Sequence, residues 1–143
     1  DLEEVFQVNL LSPVVLMKKF QKTYNGLTIK IINISSGAAS SPIRSWSAYC
    51  GSKAGLEMFT NTVLSEQADE KMQVYSIAPG VVDSEMQNDI RKAGSSDFPD
   101  SEKFHSLFNN KELVSPKKAA QTLIQLINEN NFGGIHTLRD YYR

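Results

Sequence analysis

Apolar positions in residues 1–24 fall at Leu2, Val5, Phe6, Leu10, Val14, Met17 and Phe20, a helical period with a wide apolar face. Pro13 lies inside that pattern and predicts a kink or break, because proline removes a helix N–H and crowds the carbonyl four residues back. Asn25-Gly26 ends the segment as a turn. The run LTIKIINIS (27–35) is β-branched, apolar and nearly uninterrupted, as expected of a strand buried on both faces of a parallel sheet. Small residues at 36–45 make a loop, and the helical period returns from Ser47 to about Ala68. MQVYSIAPG (72–80) is a second buried strand, stopped by Pro79-Gly80. Residues 81–100 look loop-like with a short helix at 84–92, and AGSSDFPDS is the most flexible stretch. Helices follow at 101–110 and 116–130, the second opened by Ser115 as N-cap and Pro116 at the first helical position. GGIHTLRDYY closes the pattern as a strand.

Helix, strand, helix, strand, two helices and strand in alternation predict an α/β fold with parallel strands and right-handed crossovers. Ligands of such sheets bind beyond the carboxyl ends of the strands. The serine-rich loop and the Pro79-Gly80 loop both lie there. Composition narrows the partners. Charges are interspersed and sum to −1, so no basic stripe invites nucleic acid or an anionic membrane. No apolar run is long enough for a bilayer, and the polar start DLEEVFQVN has neither a signal core nor an initiator Met, as if it began inside a helix of a longer protein. Cys50 is the single cysteine, which excludes an internal disulfide and fits a reducing, cytoplasmic setting. His105 and His136 are too few and too far apart to suggest a metal site.

The chemistry gathers in WSAYCGSKA (46–54). Tyr49 and Lys53 are four apart, hence on one face of a helix, and Ser36 follows the end of the preceding strand. A phenol titrates near pH 10, too high for an efficient acid at neutral pH, and a nearby ammonium favours the phenolate. A serine hydroxyl beside the phenol can hold a carbonyl oxygen. Such a trio makes a general acid aimed at a carbonyl. Packing alone, an interfacial tyrosine and a solvated lysine, would account for Tyr49 and Lys53 if they stood without these neighbours.

NISS (33–36), YCGSK (49–53) and PG (79–80), in this order and on these elements, resemble the short-chain dehydrogenase/reductase family. The resemblance implies a Rossmann-like doubly wound parallel sheet, of which residues 1–143 would be the C-terminal catalytic part; the N-terminal βαβ half, with its glycine-rich turn, would precede them. It assigns the family serine to Ser36, thirteen residues before Tyr49, and the upstream asparagine to Asn9, which interrupts its helix and holds a water in a proton relay. It makes Tyr49 the proton donor and gives Lys53 a second task on the nicotinamide ribose. Pro79, Gly80 and Val82 would contact the nicotinamide, with Ser84 beside its carboxamide. The cofactor implied is NADPH, with NADH not excluded. Family members are dimers or tetramers, which would pair here through the helices at 1–24 and 47–70.

A narrower resemblance, carried by APGVVDSEMQNDIR (78–91) and the layout of 111–142, is to the sepiapterin reductase-like branch with its bacterial benzil reductases. Sepiapterin reductases place an aspartate two residues after the histidine matched by His136; here Leu138 stands there, which favours an aromatic or apolar α-dicarbonyl over a pterin. Trp46 and Met86 are candidate substrate contacts, and each can equally be packing. Ser84 is equally an N-cap. Cys50 has no evident base and reads as a helix packer. Other substrates on the same fold, such as a pterin, steroid, sugar or acyl ketone, and a truncated non-catalytic domain are the alternatives.

Overall fold

The computed structural model describes residues 1–23, 26–66, 71–93, 98–129 and 133–142. Its centre is a parallel sheet in the order β1-β2-β3: β1 (Ile29–Ile34), β2 (Met72–Ala78) and β3 (Gly134–Thr137). Ile29 pairs with Met72 and Ile34 with Ile77, so β1 and β2 run in step and end side by side; Tyr75 to Ala78 pair with Gly134 to Thr137. Alternation along β2 sends its side chains to opposite faces. On one face Met72 and Val74 pack against Met17 of α2 (Ser12–Thr23) and Val63 of α3 (Ser47–Glu66). On the other, Tyr75 and Ile77 pack against Leu126 of α6 (Pro116–Glu129) and Leu138. Helices thus cover both faces, as the alternating pattern predicts.

Burial on both faces holds for β2, every residue of which is buried, but not for β1. Only Asn33 is buried in β1, because β2 covers one edge and no strand pairs with the other among the described residues. The helix break also falls elsewhere than at Pro13. α1 (Leu2–Phe6) runs into a π-helical turn over Gln7–Leu11, closed by the Ser12 N–H on the Gln7 carbonyl five residues back. Pro13 comes just after, near the start of α2. It has no N–H to give to the Asn9 carbonyl, and the wider turn ahead of it relieves the clash that proline makes in a regular helix.

The short helix α4 (Glu85–Lys92), α5 (Ser101–Asn109) and α6 lie close to the predicted bounds, and Ser115 Oγ accepts the Lys118 N–H at 3.2 Å as the cap of α6. The C-terminal strand is shorter than predicted: it stops at Thr137 and a 3-10 turn, Leu138–Tyr141, follows. Of the stretch expected to be most flexible, residues 94–97 lie outside the described residues, but Phe98 and Ser101 are buried. The predicted helix ends at 24, 67–70 and 130 also lie outside them. No described helix is long and apolar enough to cross a membrane.

Candidate active site

β1 and β2 deliver their ends to one edge, where the Ser35 N–H donates to the Ile77 carbonyl at 2.8 Å. Ser36 follows in extended conformation and caps a short 3-10 turn, its Oγ accepting the Ala38 N–H at 3.2 Å. That bond uses a lone pair of the hydroxyl and leaves its O–H free to donate. Its neighbour Ser35 is buried and donates to Glu57 Oε2 on α3 at 3.0 Å, so the two serines divide their work: one ties the strand end to the helix, the other faces the loop.

Tyr49 and Lys53 stand one turn apart in the first half of α3. Lys53 reaches back to β1, where Nζ donates to the Ile34 carbonyl at 2.8 Å, and its ammonium lies 5.8 Å from the centre of the Tyr49 ring. Burial pushes the Lys53 ammonium below the ordinary lysine range. Asn9 sits inside the π-helical turn, and its Nδ2 donates to Ser52 Oγ at 3.2 Å; that hydroxyl in turn donates to the Tyr49 carbonyl at 2.8 Å. The break in the first helix therefore faces the turn of α3 that carries Tyr49. Gly55 eases this approach, since a Cβ there would stand 3.1 Å from Leu10 Cδ2, tighter than ordinary contact.

Beyond β2, Gly80 takes a φ of +79°, open to glycine at little cost, and turns the chain at Pro79-Gly80. Val82 then bridges to Val114, with the Asp83 N–H on the Val114 carbonyl at 2.8 Å. Ser84 occupies the N-cap position of α4, but its side chain makes no capping bond and is exposed. Ser45, Trp46, Glu85, Met86, Asp89, Ile90, Ala93 and Phe98 line an open cleft of about 620 Å³. Trp46 meets the Tyr49 ring edge-on at 5.6 Å, placing an aromatic wall next to the phenol. Met86, also lining the cleft, is 58% exposed.

Sequence reasoning missed what holds Trp46. Phe98 stacks on it at 5.1 Å and 11°, and Phe104 of α5 lies at 5.7 Å; both phenylalanines are buried. The apolar spacing of α5 marks Phe104 as a core residue, but nothing local links either ring to position 46. Leu138 corrects the substrate argument. Its side chain is fully buried with Tyr75, Ile77 and Leu126, on the face that His136 shares, and is not among the residues lining the cleft. Its apolar character reflects packing and says nothing against a pterin. Among the described residues no group of three His, Cys, Asp or Glu side chains is placed to hold a metal ion.

The donor set at this edge suits the nicotinamide-ribose end of a dinucleotide. Lys53 has three N–H donors and spends one on Ile34, Ser36 keeps its O–H, and the Gly80 turn brings bare backbone to the same edge. Lys53 and Tyr49 would hold the ribose, and Pro79 to Val82, with Ser84, the nicotinamide.

Comparison with known proteins identifies the family. The profile of the short chain dehydrogenases matches residues 1–95. A benzil reductase ((S)-benzoin forming) of Bacillus subtilis is 41% identical over 99% of this chain and 60% of its own length. Sepiapterin reductase of Bos taurus is 31% identical over 99% of this chain and 53% of its own length. The crystal structure of the KRED1-Pglu enzyme superposes with a TM-score of 0.78 at 31% identity, covering 92% of this chain and 57% of that one. The chain thus spans a little over half the length of these relatives. Fold and relatives agree, and the chain belongs to the short chain dehydrogenase family, where it is similar to the benzil and sepiapterin reductases.

Proposed function

We propose that residues 1–143 form the catalytic C-terminal part of a nicotinamide-dependent carbonyl reductase acting on an α-dicarbonyl of the benzil type. One observation carries the reading: Tyr49 and Lys53 stand one turn apart on α3, and the Lys53 ammonium, bonded to the Ile34 carbonyl at the end of β1, lies 5.8 Å from the centre of the Tyr49 ring. When bound, NADPH (or NADH) supplies the hydride that reduces the carbonyl carbon. Ser36 donates a hydrogen bond to the carbonyl oxygen and fixes it against the Tyr49 hydroxyl. Tyr49 gives that oxygen its proton. Lys53 stabilises the phenolate left behind and holds the ribose. Asn9 places a water that returns the proton from solvent.

The substrate class rests on the cleft and the relatives. Trp46, Met86, Ile90 and Phe98 offer flat and adaptable apolar surface in a cleft that Ser36, Tyr49 and Lys53 do not themselves line and that Trp46 joins to the Tyr49 ring, as aryl groups flanking a dicarbonyl would require. Glu85 and Asp89 on the same cleft favour a second reading, a pterin whose amino group meets a carboxylate. Asp89 already pairs with Lys92 at 2.9 Å, so Glu85 is the freer anchor. A panel of benzil, a small aliphatic diketone and sepiapterin, run on the full-length gene product with NADPH and with NADH, tests both. A preference for benzil is expected; a preference for sepiapterin that Glu85→Gln abolishes establishes the pterin reading instead. The exposed apolar side chains of Leu2, Val8, Leu11 and Met58 support a homodimer or homotetramer through α1, α2 and α3, and a monomer by light scattering would exclude it.

A further inference from the structure

The loop after β2 is fastened at two points. Downstream, the Val82–Val114 bridge holds it, with the Val114 N–H on the Val81 carbonyl at 3.0 Å. Upstream, the hold comes from the far end of the chain: the Tyr142 hydroxyl donates to the Pro79 carbonyl at 2.5 Å, and the same ring stands 3.7 Å from where a Cβ on Gly80 would be. This is no loose tail. Tyr142 packs against the core cluster of Tyr75, Ile77, Leu126 and Leu138, and the 3-10 turn before it is anchored by the buried Leu138. Pro79 fixes its own φ but brings no N–H to tie the turn, and Gly80 is exposed and permissive, so the upstream side of the turn depends on a bond to the Pro79 carbonyl. Burial pushes the Tyr142 phenol upward, so it stays a neutral donor through the neutral pH range.

We propose that Tyr142 is a positioning residue for the nicotinamide-facing loop, clasping Pro79 and the Gly80 turn in the conformation that receives the cofactor. The inference rests on the proposed reading of Pro79 to Val82 as that loop. Tyr142→Phe in the full-length gene product keeps the ring in its packing and deletes only the hydroxyl. Loss of one hydrogen bond to the loop is expected to raise the KM for NADPH, and its Kd by fluorescence titration, about two- to tenfold. The KM for benzil and kcat should stay within about twofold. Tyr141→Phe, at a neighbour 46% exposed, should change none of these constants. A lower melting temperature with unchanged NADPH KM and Kd would make Tyr142 merely structural and overturn the clasp. The two readings fail separately. If Tyr49→Phe abolishes turnover while Tyr142→Phe binds NADPH as wild type does, the clasp alone falls. If Tyr49→Phe turns over normally while Tyr142→Phe binds weakly, only the proton-donor assignment falls. No NADPH binding by the unaltered protein overturns both.

Discussion

Ser36, Tyr49 and Lys53 show how much of a site a sequence can announce when its parts are local. A tyrosine four residues before a lysine in a helical stretch is placed on one face by backbone periodicity, whereas Ser36 rather than Ser35 is chosen by the spacing that the family resemblance implies. The rings around them are placed by neither. Phe98 reaches Trp46 from more than fifty positions away, and its sequence context reads as loop; only tertiary packing brings it there. Leu138 misled because its surroundings are tertiary: it follows His136 on the face of Tyr75 and Ile77, where Leu126 of α6 completes the core around it. Lys53 offers a pH test. Burial holds it below the usual lysine value of about 10.4, so its ammonium is lost earlier as pH rises. If that charge holds the cofactor, the KM for NADPH should climb on the alkaline side from below that value, and Lys53→Arg, a cation throughout, should flatten the climb. Stability should move the other way. Between the lowered and the ordinary pKa the unfolded chain binds more protons than the native one, so the Lys53 contribution to stability rises with pH over that window. A KM for NADPH that stays level across that window would remove Lys53 from cofactor binding.

At the scale of elements, the paired strand ends set the site and the helix break serves it. Element types and order were legible, because each element carries its own period; the exact break was not, because a π-helical turn differs from a proline kink by one residue of hydrogen-bond register. Nor does the sequence of β1 tell that its outer edge stands without a strand among the described residues, since burial depends on neighbours. One glycine governs the β2–β3 seam. Gly133 has a φ of +72°, and a Cβ there would be driven into the Val74 carbonyl, which is backbone and cannot yield. Gly133→Ala is expected to cost about 2 kcal/mol or more in urea unfolding, from a strained backbone together with the clash. A loss below about 0.5 kcal/mol, the range of surface substitutions, would mean that the approach of the chain to β2 is looser than described.

For the molecule as a whole, helices on both faces leave the strand ends as the place where loops from three parts of the chain converge: the Ser36 turn, the Pro79-Gly80 loop and the C-terminal Tyr142. An α/β layering of parallel strands puts binding there, and the family's chemistry fits what stands there. The chain covers 60% of the Bacillus subtilis relative, so activity belongs to the full-length gene product and is to be measured on it. The most direct test is NADPH consumption with benzil by that product, unaltered and as Tyr49→Phe, alongside NADPH binding to both. Turnover by the unaltered protein, a fall of at least about a hundredfold in the variant and NADPH binding weakened by no more than the roughly tenfold of one lost ribose hydrogen bond are the expected result. Undiminished turnover by Tyr49→Phe would contradict the proposal that this phenol is the proton donor.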